Sequence, residues 1–202
     1  MREKKKNGGW IGLCVLAILL LILIGITFYG VWMNFNYIVV KVVETSMLDT
    51  LQDGDYLYVK PIERTQAQRG DVVIIDVSKH EGAFREGTEL IIKRLIAVGG
   101  DAVKCEDGVV SIMYAGTQDW LKLDEPYVHY TTPDFETVEV GEGEIFFLGD
   151  HRNSSIDSAD EEVGCLNATD LVGVVPQWAI GMKRYSTAWE GFRNKLYESF
   201  HS

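Results

Sequence analysis

Two kinds of pattern divide the chain. From Asn7 to Val40 there is no charged residue, and Trp10–Met33 is almost wholly apolar. As a helix that stretch would measure about 36 Å, enough to cross a hydrocarbon core of roughly 30 Å with some tilt. Trp10 at one end and Tyr29, Trp32, Phe35 and Tyr37 at the other stand where interfacial aromatic belts belong. A cleaved secretory leader would have a shorter apolar stretch, about 7–15 residues, followed by a small-residue cleavage site. Here bulky residues follow, so the segment reads as a retained anchor.

Beyond the anchor the pattern changes to short runs rich in β-branched and aromatic residues. They are Tyr37–Val43, Tyr56–Val59, Val72–Val77, Leu90–Ile96, Val109–Met113, Ile145–Leu148 and Leu171–Val175. Turns such as Asp53-Gly54-Asp55, Arg69-Gly70-Asp71, Gly99-Gly100-Asp101 and Asp107-Gly108 separate them. Many short strands with Gly-bearing turns predict a mainly β domain, an antiparallel sheet or barrel. Helical periodicity returns only at Thr187–Phe200, which is amphipathic but too charged for a second span. Ser78–Gly87 reads as a polar surface connection. Gly149–Asn167 is a long loop rich in Ser, Asp and Asn, of the kind that often carries function. The expected organisation is residues 1–9 as a cytoplasmic N-terminus, 10–33 as a transmembrane anchor and 34–202 as an extracytoplasmic domain.

Charge supplies that orientation. Arg2, Lys4, Lys5 and Lys6, against Glu3 alone, precede the apolar run, and positive residues stay on the cytoplasmic side. The rest of the chain has 15 basic and 29 acidic residues, a net charge of −14. This excludes nucleic acid as a partner, since phosphates demand a basic surface. It also argues against a second electrostatic contact with anionic lipid. Of the three cysteines, Cys14 lies in the span, while Cys105 and Cys165 would face outside, where one bridge is possible. The spacing fits no zinc site, and neither a metal nor another cofactor is expected.

The candidate chemistry begins at Thr45-Ser46-Met47, where a strand gives way to a turn. None of the four histidines, His80, His129, His151 and His201, sits in a setting that favours a Ser-His-Asp triad. The run Leu90-Ile91-Ile92-Lys93-Arg94-Leu95-Ile96 places a lysine among apolar residues. Strand alternation puts Ile91, Lys93 and Leu95 on one face and Arg94 on the other. Such a lysine either snorkels out at a sheet edge or is desolvated. Desolvation disfavours the ammonium, so a neutral amine could take a proton from a serine hydroxyl. The local pattern alone leans toward the snorkelling lysine.

The blocks read together resemble the bacterial signal peptidase I family, serine peptidase family S26, in its single-anchor form. Ser46-Met47-Leu48-Asp49-Thr50-Leu51 is similar to the family's Ser-Met-x-Pro-Thr-Leu nucleophile motif. Arg69-Gly70-Asp71-Val72-Val73, then Ile92-Lys93-Arg94-Leu95-Ile96-Ala97-Val98-Gly99-Gly100-Asp101, resemble its next two blocks. Leu123-Asp124-Glu125-Pro126-Tyr127 matches a Leu-x-Glu-Pro-Tyr pattern, and Gly149-Asp150-His151-Arg152-Asn153-Ser154-Ser155-Ile156-Asp157-Ser158 resembles the final motif. The blocks occur in family order along nearly the whole chain. Four positions depart from the pattern: Asp49 replaces a proline, Glu44 a Ser or Gly, Ala159 a frequent Arg, and His151 a common Asn.

The resemblance implies a membrane-bound serine endopeptidase that removes signal peptides from exported preproteins through an acyl-enzyme. Ser46 would be the nucleophile and Lys93 its general base, with the Ser46 backbone N–H holding the oxyanion. Ser155 matches the serine that orients the lysine, Asp157 a supporting carboxylate, and Arg94 with Asp150 a bracing pair. Substrate would bind extended, with Met47, Leu51, Ile91 and Ile92 lining shallow apolar pockets for small residues, as in Ala-x-Ala. Secretory preproteins and the lipid bilayer are the implied partners. The alternative is a non-catalytic relative that assembles surface pili; retention of both Ser46 and Lys93 argues against it.

Overall fold

The computed structural model describes residues 8–43, 45–48, 50–80 and 82–201. Glu44, Asp49 and the basic N-terminal residues lie outside the described residues. The chain divides into two units, one up to Tyr37 and one from Ile38 onward.

The first unit is helix α1 (Gly8–Asn36). Among the described residues it is the one helix long and apolar enough to cross a membrane. It is apolar all round, as a lipid-facing helix requires. It overruns the expected Trp10–Met33 at both ends, and in its last turn the Asn36 side chain donates to the Trp32 carbonyl at 2.8 Å.

The second unit contains β1 (Ile38–Lys41), β2 (Tyr56–Pro61), β3 (Val72–Asp76), β4 (Leu90–Val98), β5 (Ala102–Glu106), β6 (Val109–Met113), β7 (Leu121–Lys122), β8 (Phe135–Glu139), β9 (Glu144–Leu148), β10 (Leu166–Asn167), β11 (Leu171–Val175) and α2 (Gln177–His201). A seven-stranded sheet runs β1-β2-β11-β3-β4-β9-β10 and a four-stranded one β7-β6-β5-β8. All pairings are antiparallel, so the expected fold class is the observed one. Burial explains the sequence of β3. Val72 and Ile74 pack with Leu57, Val59 and Val175 on one face, while Val73 and Ile75 pack with Leu95 and Phe147 on the other. A strand covered on both faces reads as a continuous apolar run. Its neighbour β4 pairs Lys93 with Val73 and Arg94 with Val72, so the two basic side chains leave opposite faces of a central strand. Lys93 is therefore not at a sheet edge.

Several elements differ from expectation. β5 and β8 were not foreseen, because Lys104 and Glu106 alternate with the apolar positions of β5, and Glu136, Thr137 and Glu139 interrupt those of β8, masking a half-exposed sheet. The loop 78–87 is not wholly superficial, since Phe84 packs against the second core. Helix α2 begins at Gln177, ten residues before the expected start. Cys105 and Cys165 are free thiols rather than a bridge. Both pack on the third core cluster, and burial pushes each thiol up to about 11.

Candidate active site

Ser46 occupies a turn five residues past the end of β1, not the strand end itself. The turn is closed by Leu48 N–H to Thr45 O at 3.0 Å and Leu51 N–H to Met47 O at 2.7 Å. Met47 and Leu51 are sunk in the core beside Val42 and Leu57. These buried residues fix the turn and leave Ser46 half-exposed above them.

Lys93 is only 3% exposed. Its Nζ donates to Ser155 Oγ at 2.9 Å. Ser155 in turn lies against Gly149, where a Cβ would sit 2.2 Å from Ser155 Oγ and 2.5 Å from the Ser46 carbonyl oxygen. Only a bare α-carbon lets those two groups approach it, so Gly149 is the point at which the Ser46 turn and the hydrogen-bond partner of Lys93 meet. The Ser46 carbonyl also accepts His151 N–H at 3.0 Å, and His151 Nδ1 lies 3.3 Å from Thr45 O. The His151 ring rests 4.3 Å from that of Tyr130. The position that departs from the family pattern is thus a clasp on the serine turn.

Behind Ser155 stands Asp157, which accepts Gly149 N–H at 2.9 Å and Ala159 N–H at 3.2 Å. Burial drives its carboxyl above the usual carboxylate range, against the lowering effects of the Gly149 N–H, the Ser155 hydroxyl and Lys93. Ala159 is half-buried against the third core.

On the opposite face of β4, Arg94 forks onto Asp150, with Nε to Oδ1 at 2.8 Å and Nη2 to Oδ2 at 2.6 Å. Its remaining nitrogen donates to Gly70 O at 2.7 Å, and its plane lies 3.7 Å over the Tyr127 ring. Thr50 Oγ1 donates to Asp150 as well, at 2.5 Å. Burial alone would lower the Arg94 pKa, but the Asp150 carboxylate outweighs it and the guanidinium is held above its ordinary value. A second buried arginine continues the network. Arg152 donates to Gly149 O at 3.0 Å, to Thr132 Oγ1 at 2.9 Å and to both oxygens of Glu125. Tyr127 O–H donates to Glu125 at 3.1 Å, and its phenol is pushed up first by burial and then by that carboxylate. Arg152, Thr132, Thr50 and His151 were not among the expected site residues. Glu125 and Tyr127 were visible as a motif, but no local pattern discloses their partners.

Two cavities share Ser46 and Lys93. One, of about 370 Å³, lies among Val40–Val43, Met47, Ile74 and the stretch Gly87–Ile92. The other, of about 310 Å³, is lined by Thr45, Phe84, Arg85, Thr88, Ile91, Ser154 and Ile156. Met47, Ile91 and Ile92 line the first. Leu51 does not: it is fully buried in the core, because the turn points it inward beside Leu57.

The arrangement is a serine at a fixed turn, a buried lysine and an open groove between two extended segments, a constellation suited to acyl transfer. A model of the signal peptidase family, peptidase S26, matches residues 10–178. Signal peptidase I of Bacillus licheniformis is 31% identical over 169 residues, which cover 76% of this chain and 80% of the relative. Signal peptidase I T of Bacillus subtilis (strain 168) is 30% identical over 186 residues, 85% of each chain. A crystal structure of a signal peptidase I from Enterococcus faecalis V583 covers 55% of this chain and 98% of its own, at 24% identity and a TM-score of 0.43. Matched along most of its length by the family model and by relatives of similar size, this chain belongs to the signal peptidase family, peptidase S26, and is a peptide-bond hydrolase.

Proposed function

We propose that the chain removes signal peptides from exported preproteins by a Ser46/Lys93 dyad. Neutral Lys93 takes the Ser46 hydroxyl proton as Oγ attacks the scissile carbonyl. The Ser46 backbone N–H stabilises the oxyanion, a class of donor worth about 10²–10³ in rate. The C–N bond breaks, the leaving amine takes the proton from Lys93, and an acyl-enzyme remains. Lys93 then activates water to release the signal peptide and regenerate Ser46. The observation that carries this reading is the burial of Lys93 together with its 2.9 Å hydrogen bond to Ser155. Burial favours the neutral amine a base requires.

Ser155 and Asp157 orient the amine, and Arg94 with Asp150 braces the loop from the far side of β4. The preprotein lies extended in the first cavity beside Val40–Val43 and Leu90–Ile92, adding a strand. Met47, Ile91 and Ile92 leave shallow room there, which suits small residues in an Ala-x-Ala pattern. Helix α1 spans the bilayer with the N-terminus cytoplasmic and holds the site at the outer surface, where the cleavage region of a translocated preprotein emerges.

The test is cleavage of a preprotein by the full chain in lipid vesicles, beside Ser46→Ala and Lys93→Ala. Both variants are expected to be inactive. Cleavage that survives either substitution rules out the dyad.

A further inference from the structure

Helix α2 is amphipathic the wrong way round. The face it turns to the domain is mostly polar. Thr187 Oγ1 accepts Tyr56 N–H at 2.9 Å, Ser186 donates to Tyr56 O, and Lys183 donates to Thr50 O and lies 3.6 Å from Asp55. Glu190 is 3% exposed and ion-paired with Arg193. The opposite face carries Met182, Tyr185, Trp189 and Phe192, spaced three, four and three residues apart and therefore on one stripe. They are 49%, 70%, 58% and 57% exposed. A helix on a water-soluble surface presents the reverse pattern, and so large an aromatic patch on one element marks a contact surface.

Charge indicates what covers it. The helix holds four basic residues, Lys183, Arg184, Arg193 and Lys195, and two acidic ones. The remainder of residues 34–202 holds eleven basic and 27 acidic residues. The helix is thus a local positive exception, net +2, on a domain remainder of −16. The bulk charge that argued against a second contact with anionic lipid does not describe this element. Trp and Tyr, with an apolar body and a polar tip, are the aromatics of the membrane–water boundary, and basic residues beside an apolar stripe complete the signature of a helix lying in the headgroup plane. The family match ends at residue 178, so almost all of this helix lies beyond the matched residues.

We propose that α2 lies on the bilayer surface, with Met182, Tyr185, Trp189 and Phe192 in the acyl boundary and Arg184 and Lys195 among anionic headgroups. It gives the domain a second membrane contact besides α1. The proposal rests on the anchor reading, and the test separates the two.

The full chain, with Cys14 and Cys165 replaced by Ala, is labelled with an environment-sensitive fluorophore at one introduced cysteine: Tyr185→Cys, Glu161→Cys on an exposed loop, or Leu20→Cys within α1. Each labelled protein is reconstituted into phosphatidylcholine vesicles with and without phosphatidylglycerol. The lipids carry a nitroxide near the headgroup or near the chain end. The label at 185 is expected to be quenched by the shallow nitroxide about twofold or more above the label at 161. Omitting phosphatidylglycerol, or introducing Arg184→Glu with Lys195→Glu, is expected to reduce that excess. Quenching at 185 no greater than at 161 overturns the proposal while leaving the anchor intact. A shielded label that lipid does not quench, with disulfide cross-linking between two Tyr185→Cys chains, overturns it in favour of a second copy. Loss of deep quenching at 20 overturns the anchor itself, and the surface helix with it.

Discussion

Lys93 and Arg94 are consecutive on β4, both basic and both nearly inaccessible, yet they are embedded in opposite ways. Arg94 is saturated: a forked carboxylate, a backbone carbonyl and an aromatic face take up its guanidinium. Lys93 reaches a serine hydroxyl and lines both cavities beside Ser46. The difference follows from the side chains. A guanidinium is always charged and its planar fork suits rigid pairing, whereas an ammonium on a flexible stem yields its proton when buried. One side of the strand therefore holds a brace and the other, on the proposed reading, the general base. Gly149 joins them, since its neighbour Asp150 pairs with Arg94 while its own α-carbon packs against Ser155.

The sharpest separation comes from Lys93→Ala. It should lower preprotein cleavage by roughly 10⁴-fold or more, as removal of a dyad or triad member does, while the unfolding midpoint moves little. A large loss of stability would place Lys93 with Arg94 as a structural residue. Asp150→Ala should do the opposite first, leaving Arg94 buried without its partner and costing about 3–5 kcal/mol of unfolding free energy in a denaturant titration. A variant as stable as the parent would show the pair to be replaceable.

Gly149→Ala tests the junction. A Cβ 2.2 Å from Ser155 Oγ and 2.5 Å from the Ser46 carbonyl must displace both. Activity should fall about 10²-fold through misplacement of reacting groups, with a smaller cost in stability. Parental activity would mean the two groups can move apart without consequence. Ser155→Ala should reduce cleavage by about 10- to 100-fold, the equivalent of a hydrogen bond to a charged group, with little change in the Michaelis constant. A change confined to that constant would assign Ser155 to substrate binding.

The smallest effect belongs to Asp157. Its folded-state carboxyl is raised by burial, so the folded state holds the proton more tightly than the unfolded chain. That contribution is fully present below the unfolded value of about 3.9 and is lost as pH rises through the folded one. The stability of the parent relative to Asp157→Asn should therefore decline as pH rises from about 4. A difference that grows with pH would show the carboxyl to be lowered instead.

The seven strongest strand patterns were all legible, including β4 with its two basic residues on opposite faces. β5 and β8 were hidden because charges on their exposed faces imitate a loop. At the site, the ordered motifs singled out Ser46, Lys93, Ser155, Asp157, Arg94 and Asp150. They did not single out Arg152 or Thr132, whose importance lies in partners 20 or more residues away. Leu51 was misjudged for a related reason: an apolar residue after a nucleophile reads alike whether it lines a groove or fills the core under it.

The sequence by itself determined the uniformly apolar α1, the antiparallel β character and the order of the motif blocks, because each is written in local periodicity or in short contiguous runs. Tertiary structure alone decided that Lys93 is buried at the centre of a sheet rather than snorkelling at an edge. It also decided that Ser46 and Ser155, about a hundred residues apart, both pack against Gly149, and that α2 docks by its polar face. These outcomes depend on which surfaces cover which, and a side chain carries no local mark of the partner that will bury it.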